Sequence, residues 1–168
     1  MTDGQGLTCT LSAFSGLSAE LLHSGKSLKF QAHGFSMRPL LRDGDLLLVE
    51  PAKSRKIRVG DVVLFSKPSG SVVLHRVLQK KTGLDGYSFL IQGDQIPTPD
   101  GWIPQDRIYG RVAKVERSGQ QIDLNKPIVR ILGLLAVLRS RFGFGREGLP
   151  FHLEQAVKRL PLFYRYLI

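Results

Sequence analysis

Three kinds of residue in this chain could together carry out acyl transfer. The first is Ser36, in the segment Gly34-Phe35-Ser36-Met37-Arg38-Pro39, which runs on into Leu40-Leu41-Arg42-Asp43-Gly44-Asp45. A serine beside a glycine and a proline can be held at a strand end with its backbone N–H turned outward. Attack and oxyanion stabilisation then come from adjacent atoms. The same residue types are ordinary turn formers, so Ser36 taken alone reads better as a turn residue. The second is His75, in Leu74-His75-Arg76-Val77. By the two-residue period of a strand it shares the face of Val73 and Val77, and a lone histidine on an apolar face is more often a satisfied core residue. The third is the loop Gly93-Asp94-Gln95-Ile96-Pro97-Thr98-Pro99-Asp100-Gly101, with two carboxylates. A serine, a histidine and a carboxylate are the parts of a nucleophile, base and orienter, an arrangement defined by geometry rather than chain order.

The elements that must position these residues are short strands. Leu28 to Ala32 alternates and delivers the chain to Ser36. Leu46–Val49, Val62–Phe65, Val72–Leu78, Tyr87–Ile91, Ile108–Val115 and Gln121–Leu124 follow, with turn signals at Pro68-Ser69-Gly70, Asp85-Gly86 and Ser118-Gly119. The 62–65 and 72–78 segments read as a hairpin, and Gly93 to Gln105 as a loop. Closely spaced strands without intervening helices imply a mainly β fold, a folded, barrel-like antiparallel sheet. Before it, residues 1–16 read as loosely held, and Leu17 to Gly25 as a short helix stopped by Gly25. His23 then lies on the solvent side of the last turn, and His33 is structural. After the sheet, Pro127 suits the first position of a helix over Ile128–Arg141. Gly143-Phe144-Gly145 breaks that helix, a second helical stretch covers 153–160, and the chain ends in aromatic and cationic residues. The expected organisation is an N-terminal segment (1–25), a β domain (26–125) and a basic, apolar helical tail (126–168).

Composition narrows the function classes. The chain has 168 residues and is 42% apolar, enough for one core. The single Cys9 excludes an internal disulfide framework, and no metal-ligand spacing joins the four histidines, so no metal or cofactor is expected. The net charge of +10 invites a nucleic-acid reading. From Lys126 onward, however, eight basic residues face two acidic ones and alternate with Leu, Ile, Phe and Tyr. That pattern fits an anionic membrane surface at least as well, and disfavours nucleic acid as the partner. Lys53, Arg55, Lys56 and Arg58 read as a solvated basic loop. Neither a signal peptide nor a run of about 18 apolar residues is visible, so the expected location is cytoplasmic, with peripheral contact to the inner membrane face.

The motifs taken together resemble the S24/S26 clan of serine peptidases, which joins type I signal peptidases to self-cleaving LexA-type repressors. The resemblance rests on Gly34 to Pro39 with Asp43-Gly44-Asp45, Val59-Gly60-Asp61-Val62-Val63, His75-Arg76-Val77, Gly93-Asp94…Asp100 and Ile108-Tyr109-Gly110-Arg111-Val112, in that order. It implies a signal-peptidase/LexA-like fold and a serine endopeptidase acting on an extended peptide or precursor protein. A histidine at position 75, where bacterial-type members have lysine, resembles the endoplasmic-reticulum and archaeal signal peptidases. The resemblance makes Ser36 the nucleophile, with its backbone N–H in the oxyanion hole, and His75 the base. Asp100 becomes the orienter, with Asp94 a supporting residue or alternative orienter, and Phe35 and Met37 flank the substrate. Gly34 replaces a side-chain hydroxyl that some relatives place there, so a second oxyanion donor must come from elsewhere. The absence of an anchor and of a DNA-binding domain suggests a stand-alone bacterial form. Two other classes compete: a catalytically silent peptide-binding module of the same fold, and a membrane or nucleic-acid binder acting through the tail. Another base would be a lysine such as Lys67, Lys80 or Lys81.

Overall fold

The computed structural model describes residues 11–142, with backbone alone at 11–12 and 139–142. Cys9, the break at 143–145, the 153–160 stretch and the aromatic, cationic C-terminal residues lie outside the described residues. Helix α1 spans Leu11–His23. Eight strands follow: β1 Leu28–Gln31, β2 Leu46–Pro51, β3 Val62–Ser66, β4 Val72–Gly83, β5 Gly86–Gln92, β6 Gly101–Pro104, β7 Ile108–Arg117 and β8 Gln120–Asp123. Helix α2 spans Pro127–Phe142. All pairings are antiparallel, in the order β1-β2-β7-β3-β4-β5-β6, and β8 joins β7 beyond the end of β3. The sheet is folded but open, with β1 and β6 at its two ends, so it does not close into a barrel.

β3 shows why the sheet is buried on both sides. Its first four residues are all buried. Val62 and Leu64 face a core shared with Leu47, Val49, Val112 and the helices, while Val63 and Phe65 face a second core of Val77, Phe89, Ile91 and Ile103. The two-residue period therefore divides the apolar residues of one strand between two cores, and a continuous apolar run is what such a strand requires. On β4, the same period sends His75 to the second core's side and Arg76 to the helix side.

Several boundaries differ from the sequence reading. α1 begins at Leu11 rather than Leu17, because tertiary contacts stabilise the weak first turns. Phe14 packs edge-on against Phe30 of β1 at 5.0 Å. The helix ends as expected at Gly25, whose positive φ of 84° permits the bonds Gly25 N–H to Leu22 O and Lys26 N–H to Leu21 O. β4 runs on to Gly83, five residues past its expected end, since β5 pairs along its whole length. The 93–105 loop contains β6, which pairs Gly101 to Pro104 with Ile91 to Ser88. Prolines hid this short edge strand.

Helix α1 lies against β7, β1 and β2, and its approach requires Gly110. A Cβ there would meet the Glu50 carbonyl at 2.6 Å and Leu22 Cδ2 at 3.1 Å. Gly110→Ala is expected to destabilise the domain by about 2 kcal/mol, lowering Tm by about 5 °C in thermal unfolding.

Candidate active site

Ser36 occupies a turn over residues 36–40 between β1 and β2, and three sets of contacts hold that turn in place. At its base the buried Asp45 receives two hydrogen bonds from Arg117, at 2.8 and 2.6 Å, and one from the Arg42 N–H at 2.7 Å. Arg117 also donates to the Leu40 carbonyl. Nearer the serine, the Gly34 N–H donates to Asp43 at 2.9 Å, and this bond holds the Asp43 carboxyl below the usual carboxylate range. On the far side, the Gln95 N–H donates to the Ser36 carbonyl at 2.8 Å and the Gln95 side-chain amide to the Arg38 carbonyl at 2.9 Å. The serine turn is thus bonded directly to the β5–β6 loop.

That loop brings the carboxylates. Asp100 Oδ2 lies 2.6 Å from His75 Nδ1, and His75 Nε2 lies 3.1 Å from Ser36 Oγ. The His75 and Asp100 side chains are 6% and 5% exposed, so the line from carboxylate to imidazole is shielded from water. A carboxylate only accepts, which places the ring proton on Nδ1 and leaves Nε2 to accept from the Ser36 hydroxyl. Phe65 stands beside the ring, with centroids 6.2 Å apart. Gly93 closes its other side: a Cβ there would stand 2.9 Å from Nε2 and 3.1 Å from Cδ2 of His75. A side chain at position 93 would therefore compete with Ser36 for the imidazole.

Asp94 has a different partner. Arg76 grips it with two bonds, Nε to Oδ1 at 2.7 Å and Nη2 to Oδ2 at 2.6 Å, and adds a third to the Gly60 carbonyl at 2.9 Å. Both side chains are almost fully enclosed. Asp94 supports the loop, and Asp100 alone of the two touches His75. Of the residues expected to meet a substrate, Phe35 is 60% exposed with the Arg38 guanidinium 4.3 Å above its ring. Met37, only 4% exposed, packs in the helix-side core with Leu40 and Leu41, and its side chain is not open to a substrate. His33 is exposed beside Asp43.

The three lysines have their own places. Lys80 donates to the carbonyls of Ser54, Arg55 and Ile57, and its burial there lowers its pKa from the ordinary value. Lys81 lies over Trp102 at 4.1 Å. Lys67 places Nζ 2.6 Å from Asp100 Oδ1, the oxygen that His75 leaves free. Sequence reasoning missed this contact because the β3–β4 turn and the β5–β6 loop meet only in the folded sheet.

A cleft of about 470 Å³ opens on the Arg76–Asp94 side of the sheet, between Arg38 and Pro39 of the serine turn, Gln95 and Ile96 of the loop, and Leu132 and Leu134 of α2; Ser36, His75 and Asp100 do not line it. Among the described residues no cluster of three or more His, Cys, Asp or Glu has the geometry to hold a metal ion.

The three side chains thus form a line on an open antiparallel sheet, in the geometry that acyl transfer by a serine requires. In agreement with this, a family model described as Peptidase S24-like matches residues 12–87, just under half of the chain. The match runs from α1 to the start of β5, and so includes Ser36 and His75 and ends before Asp94 and Asp100. It supports an S24-like peptidase domain with a LexA-like fold. A search of curated proteins finds no match.

The doubly bonded Arg76–Asp94 pair can be tested directly. Arg76→Met leaves a carboxylate enclosed without its partner and is expected to cost about 3 kcal/mol in urea unfolding. The Arg76→Met, Asp94→Leu double variant should recover most of that stability without recovering the loop's position, read as altered chemical shifts at His75.

Proposed function

We propose that this chain is a serine endopeptidase that hydrolyses a peptide bond in an extended peptide or precursor protein. The observation that carries the reading is the continuous line Ser36 Oγ, His75, Asp100, with separations of 3.1 and 2.6 Å. In the proposed reaction Ser36 Oγ attacks the scissile carbonyl carbon while its proton passes to His75 Nε2. The tetrahedral oxyanion is met by the Ser36 N–H. His75 then gives its proton to the departing amine, leaving an acyl-serine. Water, deprotonated by His75, attacks that ester, and the carboxylic acid product leaves with Ser36 restored. Asp100 fixes the ring tautomer and offsets the imidazolium charge in both halves.

The substrate geometry follows from the edge of the sheet. β1 pairs only with β2 among the described residues and leads straight into the serine turn. A peptide added as a strand along that edge would bring its carbonyl to Ser36. Phe35, exposed beside Ser36, would be in reach of its side chains. The histidine base favours the endoplasmic-reticulum and archaeal type of signal peptidase as the nearest chemical parallel.

Ser36→Ala and His75→Ala are each expected to lower peptide cleavage at least a thousandfold while leaving the Tm within a few degrees. Labelling by a serine-reactive fluorophosphonate should require both residues, and His75→Lys should not restore cleavage. In the parent protein kcat/KM should rise with pH as the base loses its proton. Cleavage by Ser36→Ala, or a rise confined to the lysine range, would exclude this mechanism. Failure of the parent protein to label would favour the silent peptide-binding module.

A second reading concerns the membrane surface, and one observation favours it. α2 buries Val129 and Leu132 in the helix-side core but leaves Ile131, Leu134 and Leu138 about half exposed. No helix among the described residues is long and apolar enough to cross a membrane. An apolar helix face in a basic segment is suited to lie on an anionic surface. Sedimentation with phosphatidylglycerol-containing vesicles should retain the protein at low salt, and Leu134→Asp with Leu138→Asp should release it. Equal binding by the double variant would refute the contact.

A further inference from the structure

The contact between Lys67 and Asp100 is unused by the mechanism above. Lys67 lies just beyond β3, in the turn to β4, where its N–H donates to the Ser71 carbonyl and its carbonyl accepts from Gly70. Its side chain is 34% exposed, yet Nζ reaches 2.6 Å from Asp100 Oδ1, whose carboxylate is 5% exposed. The other oxygen is held by His75 at 2.6 Å. Both oxygens of one enclosed carboxylate are therefore taken by nitrogen donors, one from each side.

We propose that Lys67 is a positioning residue of the site. Its ammonium neutralises part of the charge that Asp100 presents to His75, and so sets how readily the imidazole takes up a proton. This inference rests on the serine–histidine reading and deepens it. The other charged groups around His75 have partners of their own. Arg76, next on β4, is held by Asp94 and the Gly60 carbonyl, and Arg38 of the serine turn lies over Phe35. On β3 the neighbour is the uncharged Phe65, and on the β5–β6 loop it is Gly93. Lys67 is thus the cation placed to act on the carboxylate that faces the ring.

The sign follows from electrostatics. A cation on Asp100 weakens the attraction between the carboxylate and an imidazolium. The base is then free at lower pH, and the imidazolium formed during attack is less strongly stabilised. Removing the cation reverses both effects. A lysine that merely propped Asp100 in place would act otherwise: its loss would lower the rate at every pH without moving the profile.

The test compares the parent protein with Lys67→Met, which keeps the length of the side chain and removes its charge, and with Lys67→Arg, which keeps the charge. For Lys67→Met, the pH at half-maximal kcat/KM should rise by about one pH unit at low ionic strength, with the high-pH plateau maintained or increased. Lys67→Arg should stay near the parent. The same comparison in the Ser36→Ala background, following the His75 imidazole nitrogens by NMR, should show the same upward shift and needs no turnover. An unmoved midpoint in that titration overturns the proposal whatever the activity. A shifted NMR midpoint in a protein that never cleaves peptides upholds the Lys67 coupling and fails the peptidase reading instead.

Discussion

His75 and Arg76 are neighbours on β4, their side chains point to opposite faces of the sheet, and each holds one aspartate of the same loop. His75 takes Asp100 through Nδ1, and Arg76 takes Asp94 through two parallel bonds. The β5–β6 loop is therefore fixed at two points six residues apart by the two faces of one strand. Its third attachment, Gln95, carries the constraint to the serine turn through the Ser36 and Arg38 carbonyls. The 3.1 Å between Ser36 Oγ and His75 Nε2 thus depends on contacts made by residues that do not themselves react.

Two of the segments around the site are tied by enclosed arginine–aspartate pairs, Arg117–Asp45 beneath the serine turn and Arg76–Asp94 beneath the loop. Such a pair adds little net stability, because the desolvation of two charges offsets most of their attraction. What it does impose is a heavy penalty on any arrangement that separates its members. Loops have few apolar contacts to define them, so a two-pronged polar clamp specifies their position more sharply than packing would. The glycines complement these clamps. Gly93 and Gly110 leave room where the His75 ring and helix α1 must approach the backbone.

The division of the apolar residues into two cores serves the same end. β3 supplies Val62 and Leu64 to the helix side and Val63 and Phe65 to the other. Packed on both faces, the β3–β4 hairpin is a rigid mount for His75, and its turn carries Lys67 to the loop that brings Asp100.

Local pattern by itself determined much of this. Alternating apolar residues marked β1 and β7, apolar runs marked β2 and β3, and turn signals set off β4, β5 and β8, all to within a few positions. Pro127 marked the start of α2 and Gly25 the end of α1, since these signals depend on neighbours in the chain. Ser36, His75, Asp94 and Asp100 could be singled out by type and motif. Local pattern left their partners open, and it was the family resemblance that named Asp100 ahead of Asp94 as the partner of His75. Which loop aspartate meets His75 is decided by β6, an edge strand masked by prolines, and by Arg76 claiming Asp94 across the other face. Met37 and Phe35 look equivalent on either side of Ser36, yet the turn buries one and exposes the other. The early start of α1 depends on Phe14 finding Phe30, and the position of Lys67 on Asp100 depends on two turns meeting across the sheet. Each of these is a contact between residues distant in sequence, and only the closing of the sheet brings such residues within reach.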